Sequence, residues 1–161
     1  MRAEEPPITA ITESVIVAVP FAQVPNLTRR YLAGFPSNEH EGVHFTLRAW
    51  VGGIVAEHEI LMKVDAEPDR PALEVVDIHW QSQDGGPYPE FTGTLSARPV
   101  DAGSCTLELA GSYTPPGGAA GAAFDALLGH NIAREGARDV LARFKSAFEA
   151  LHAEAAASSS G

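Results

Sequence analysis

The last quarter of the chain constrains its fold most. From about Ala119 to Ala155, the residues Phe124, Leu128, Ile132, Ala137, Leu141, Phe144, Phe148 and Leu151 recur every three to five positions. Asp125, Arg134, Glu135, Arg138, Arg143, Lys145 and Glu149 fall mostly on the other side. This is the period of an amphipathic helix. At 1.5 Å per residue such a helix is about 50 Å long. Its apolar stripe needs an equally long apolar partner, and the preceding sequence supplies one in strands.

Those strands announce themselves by alternation. Ile11–Val19 is rich in β-branched residues and sets Glu13, Val15, Val17 and Val19 on one side. Pro20, then Phe21, Val24, Leu27, Tyr31 and Leu32 near helical spacing, predict one or two short helical pieces ending by Gly34. Val43, Phe45, Leu47, Ala49 and Val51 then alternate with polar neighbours, and Gly52-Gly53 suits a tight hairpin turn into Ile54–Val64. Leu73–Gln81, Phe91–Arg98 and Cys105–Tyr113 follow, separated by Pro-, Gly- and Asp-rich connections. Five successive runs with short connections predict an antiparallel meander. Residues 1–155 are read as a single domain and 156–161, ending in serines and glycine, as a flexible tail.

Composition sets the function classes aside. A chain of 161 residues, 45% of them hydrophobic, buries a sizeable core without a metal or disulfide staple. A net charge of -10 repels phosphate backbones and anionic lipid, which argues against nucleic-acid binding. No apolar stretch reaches the length of a membrane span, so stable membrane insertion is not expected. The opening Met-Arg-Ala-Glu-Glu-Pro-Pro has no apolar signal region and Cys105 is a lone cysteine, so a cytoplasmic location is expected.

Strand, short helices, meander and long terminal helix is an order few folds share. With Leu107-Glu-Leu-Ala-Gly-Ser-Tyr113-Thr-Pro-Pro-Gly and Gly121-Ala-Ala-Phe-Asp125-Ala-Leu-Leu-Gly129-His130-Asn-Ile-Ala133, the chain resembles the START-like, or SRPBCC, superfamily over nearly its whole length. The resemblance implies an α+β helix-grip fold. In that fold a curved antiparallel sheet of about six strands wraps a long C-terminal helix around an apolar cavity, with short helices after the first strand. The superfamily includes polyketide cyclases and lipid-transfer proteins, so the resemblance implies a small hydrophobic partner such as a lipid, isoprenoid or polyketide, and no cofactor. Fold alone does not decide activity.

Strand parity names the residues expected to face such a cavity: Phe45, His58, Ile60, Ile78, Trp80, Phe91, Leu109 and Tyr113 from the sheet, with Phe124 and Leu128 from the helical segment. His58 interrupts an otherwise apolar set, Ile54, Ala56, Ile60, Met62 and Val64. Two readings stand open: a hydrogen-bonded core histidine, or, with Tyr113, a proton-handling pair in a cyclase or dehydratase. Glu13 and Glu74 share apolar parities but lie near strand starts, where exposure is expected. The glycines at 111, 121, 129 and 136 and the alanines of 119–123 either leave space between helix and sheet or let the two approach closely.

His40-Glu41-Gly42-Val43-His44 matches the H-E-x-x-H zinc signature. That chemistry needs both histidines on one helix face, and here His44 begins an alternating strand, so no metal site is assigned. Gly117-Gly118-Ala-Ala-Gly121 lacks the Lys-Ser/Thr of a phosphate loop. An acidic surface offered to a basic protein partner is a further reading that names no residues.

Overall fold

The computed structural model describes the backbone of residues 9–34, 43–51, 54–65, 74–82, 90–114 and 130–159, and the side chains of 10–34, 76–81, 90–113 and 133–159. The chain is α+β. Strand β1 (Thr9–Val17) leads through a 3-10 turn (Phe21–Gln23) into α1 (Val24–Ala33). Strands β2 (Val43–Val51), β3 (Ile54–Asp65), β4 (Glu74–Ser82), β5 (Glu90–Asp101) and β6 (Ser104–Thr114) follow, and α2 (His130–Ser159) comes last. All strand pairs are antiparallel, in the order β1-β6-β5-β4-β3-β2.

The helix meets both ends of this sheet. α2 contacts β1 and β6 on one side and β2 at the far edge. Six strands separated by about 4.8 Å would hold the two edges about 24 Å apart if the sheet were flat. A helix is about 10 to 12 Å across with its side chains. Both edges reach it only if the sheet curls around it, which is the right-handed twist and coil of a long antiparallel sheet carried to its limit.

Burial follows strand parity. Val76, Ile78 and Trp80 of β4, Phe91, Leu95 and Ala97 of β5, and Cys105, Leu107, Leu109 and Tyr113 of β6 are buried. Ala133, Ala137, Val140, Leu141, Phe144 and Phe148 of α2 belong to the same core. Tyr31 of α1 meets Phe144 and Phe148 edge-on, at centroid distances of 5.1 and 6.4 Å, and so docks the short helix on the long one.

Element ends differ from the sequence reading where a partner dictates them. β1 stops at Val17, not Val19, because its ladder partner β6 begins at Ser104 and the pairing ends at Val17 opposite Cys105. Val19 nonetheless stays fully buried. β5 continues past Arg98 to Asp101, with Pro99 placed where the register shifts, the position at which a sheet tolerates a missing N–H. The Asp101 carboxylate then closes the turn, accepting from the Gly103 N–H and the Ser104 hydroxyl, and these bonds hold its pKa below the usual range. α2 extends through Ser159, into the segment read as a tail, and Ser159 Oγ donates to the Ala155 carbonyl. Residues 153–159 are exposed.

Candidate functional site

The concave side of the sheet carries an aromatic row. The register aligns Trp80 with Phe91 and Phe91 with Tyr113. Trp80 and Phe91 stack at a centroid distance of 4.2 Å and an interplanar angle of 18°. Phe91 can lie flat because the next β5–β6 pair carries no side chains: Gly93 pairs with Gly111, between Ile78 and Ile11. A Cβ on Gly93 would come within 2.6 Å of Phe91 Cζ, and one on Gly111 within 2.8 Å of the same atom. The ring therefore occupies the volume that two side chains would fill, and glycine is required at both positions.

The helix gives this row its surroundings. α2 runs alongside β1 in the same direction, since Arg134 and Arg138 reach Glu13 while Lys145 reaches Ile16 and Glu149 reaches Ala18. The aromatic row, level with Thr9 on β1, thus lies at and beyond the N-terminal end of α2. Among the described residues, the buried ones at that end of the helix are Ala133, Gly136 and Ala137, whereas Phe144 and Phe148 fill the other end. Among the described residues, large side chains come from the sheet at one end of the core and from the helix at the other.

Ile78, Trp80, Phe91, Leu109 and Tyr113, five of the residues expected to face a ligand, lie together in this core and are all buried. Phe45 and Ile60 are register partners on β2 and β3, and His58 stands opposite Leu47; their side chains lie outside the described residues, as do Phe124 and Leu128 altogether. Met62 pairs with Trp80, which puts His58 four residues along β3 from the aromatic row. Four residues along a strand are about 13 Å, and Tyr113 is three strands away, about 14 Å. The ladder thus sets His58 and Tyr113 in different rows on separated strands. Of the zinc-like motif, His40, Glu41 and Gly42 lie outside the described residues, while His44 sits in β2 opposite Leu61. Among the described residues, no group of three or more His, Cys, Asp or Glu side chains could hold a metal.

Glu13 corrects the sequence reading. Its side chain is only 14% exposed, not solvated, because Arg134 Nε and Arg138 Nε donate to its two oxygens at 2.9 and 3.1 Å. Burial by itself raises the carboxyl pKa, but the two guanidinium hydrogen bonds and charges outweigh it and hold the group below the usual range. The signal was present in the sequence as Arg134 and Arg138 at helical i, i+4 spacing; its acceptor, 121 residues earlier, was not. A carboxylate with a depressed folded pKa adds stability above its unfolded pKa and loses it as pH falls through the folded value. Glu13→Gln should accordingly melt below the parent at about pH 6, with the gap closing toward about pH 3. A gap that is constant across a pH series of melting curves would show that Glu13 acts by packing alone.

The opposite face of the sheet is polar. His79 Nδ1 lies 2.8 Å from Thr92 Oγ1 and His79 Nε2 lies 3.2 Å from Glu90 Oε1, and Thr94 Oγ1 donates to Asp77 at 3.1 Å. These are cross-strand pairs of β4 and β5 that reinforce the register. Cys105 is a free, buried thiol whose pKa burial raises, so it is not activated.

Among solved structures, Ara h 8.0201 matches 90% of this chain and 97% of its own at 15% identity, with a TM-score of 0.50. The fold is START/SRPBCC-type. Two structures with lower TM-scores are norcoclaurine synthase from Thalictrum flavum (14% identity, 91% and 87% coverage, TM-score 0.49) and the Zhui aromatase/cyclase from a Streptomyces species (20% identity, 88% and 89% coverage, TM-score 0.42). No protein-family model and no curated protein sequence matches the chain. The START/SRPBCC-type fold accounts for the sheet that reaches α2 with both edges, and, among the described residues, no helix is long and apolar enough to cross a membrane.

Proposed function

We propose that this chain binds a small hydrophobic ligand between the concave face of its sheet and α2, against the stacked Trp80 and Phe91. The observation that carries the reading is the asymmetry of the core. The sheet lays the stacked Trp80 and Phe91 at the end where the buried helix residues among those described, Ala133, Gly136 and Ala137, bear little or no side chain. An apolar guest gains about 25 cal/mol for each Å2 it withdraws from water there. Trp80 is 1% and Phe91 0% exposed, so a ligand that touches them displaces whatever covers them, and uptake is coupled to an opening of the structure. Residues 1–155 then act as one ligand-binding domain, with Ile78, Leu109 and Tyr113 on the sheet side of the site and Phe45, His58, Ile60, Phe124 and Leu128 completing it.

Catalysis of a cyclase or dehydratase type through His58 and Tyr113 is the second reading. The register separates the two, so each would act on a different part of the ligand and not as a hydrogen-bonded pair.

Titration with a panel of fatty acids, isoprenoids and aromatic polyketides, followed by tryptophan emission, tests the first reading. A saturable change is expected that persists in Trp50→Phe and is strongly reduced in Trp80→Phe. Absence of any response across the panel, with no small molecule released from the purified protein in native mass spectrometry, would sink it.

A further inference from the structure

β1 lies at one edge of the sheet, and an open edge invites pairing with another chain. At the end of this strand and one residue past it, the backbone groups of Ile16 and Ala18 are met by side chains of α2. Lys145 Nζ donates to the Ile16 carbonyl at 2.8 Å, and the Ala18 N–H donates to Glu149 Oε2 at 3.0 Å. The two side chains also pair with each other at 3.2 Å. In a parallel ladder, one residue of the neighbouring strand donates its N–H to the carbonyl before the facing residue and accepts from the N–H after it. About Val17, the Lys145–Glu149 pair provides that donor and that acceptor.

We propose that Lys145 and Glu149 together stand in for one residue of a neighbouring strand and close the β1 edge against strand addition by a second copy of this chain. The edge has reason to be closed. Ile16, beside it, is one of two large hydrophobic residues exposed among those described, at 60%, and a paired strand would cover it. Glu149 Oε2 lies at least as close to the backbone, 3.0 Å from the Ala18 nitrogen, as to its ion-pair partner, 3.2 Å from Lys145 Nζ. Two turns nearer the N-terminus, Arg134 and Arg138 hold the Glu13 side chain, so the same helix face secures β1 along its length.

Two double variants test this. Lys145→Ala/Glu149→Ala removes both groups. Lys145→Glu/Glu149→Lys keeps an i, i+4 ion pair on the helix but sets a carboxylate against the Ile16 carbonyl and an ammonium against the Ala18 N–H. Both are expected to speed hydrogen exchange at the Ala18 amide about tenfold. Both should also self-associate more tightly than the parent in sedimentation at rising concentration, with Ile16→Ser reversing the association. Glu149→Gln retains an acceptor oxygen and should protect Ala18 nearly as the parent does. If the charge-swapped protein keeps parental exchange and association, the pair is an ordinary surface salt bridge and the proposal is overturned. Equal loss of protection in Glu149→Gln and in the alanine variant overturns it as well, whether or not the alanine variant folds fully.

Discussion

Gly111→Ala is expected to destabilise the protein by about 3 kcal/mol. A β-strand glycine read from sequence alone suggests the reverse, since alanine in place of glycine usually gains about 0.5 to 1 kcal/mol by restricting the unfolded chain. Here the new Cβ would run into the Thr92 carbonyl oxygen, the Gly93 Cα at 2.5 Å and Phe91 Cζ at 2.8 Å. Two of those three atoms belong to the backbone of the paired strand and cannot swing aside, so β5 and β6 must part locally or Phe91 must leave its stack with Trp80. Urea unfolding measures the cost, and near-ultraviolet circular dichroism of the aromatics reports the stack. Shortening Phe91 to leucine in the same chain should recover only part of the loss, because the collision with the Thr92 carbonyl remains. A change within about 0.5 kcal/mol of zero would mean that the two strands are further apart at this pair than described.

Phe144→Ala is expected to cost about 3 to 5 kcal/mol, a large share of the roughly 5 to 15 kcal/mol that holds a domain folded. Phe144 is 1% exposed and makes edge-on contacts with Tyr31 at 5.1 Å and Phe148 at 5.8 Å. Removing it leaves a cavity where α1 and α2 meet, and a rigid sheet on the other side cannot collapse to fill it. For a chain of this length the loss corresponds to a melting temperature lower by about 10 °C. Amides of α1 should lose protection before those of β5 and β6, because Tyr31 loses one of its edge-on ring contacts while the sheet ladder is untouched. Tyr31 itself titrates above the ordinary phenol range because burial disfavours its anion, and exposing it in the variant should bring that value down. Equal loss of protection in helix and sheet would show that the two docked elements unfold as one.

The architecture was legible because it is written in two periods. Alternation in Val76, Ile78 and Trp80 and in Leu107 and Leu109 identified the core side of each strand, and the burial of all five follows the same parity. Spacing of three and four identified Ala137, Leu141, Phe144 and Phe148 as one helical stripe. Periodicity is a local property, so it survives in the sequence. The placement of Glu13 was not legible: strand position suggested solvent, and only α2, more than a hundred residues away, turned it into a nearly buried acceptor of two arginines. The same holds for the Gly93–Gly111 pair, whose meaning appears only when the two strands lie side by side under Phe91.

What the sequence determined by itself was therefore the α+β class, the antiparallel meander, the terminal helix and the identity of most apolar core residues, because each rests on the repeat of one element and on the cost of exposing its apolar face. The tertiary structure alone decided which charges became partners, why Phe91 lies flat over a pair of glycines, how far His58 stands from Tyr113, and how the β1 edge is closed. These depend on register and on the curl that brings both edges of the sheet to one helix, and no local pattern encodes a distance between residues so far apart along the chain.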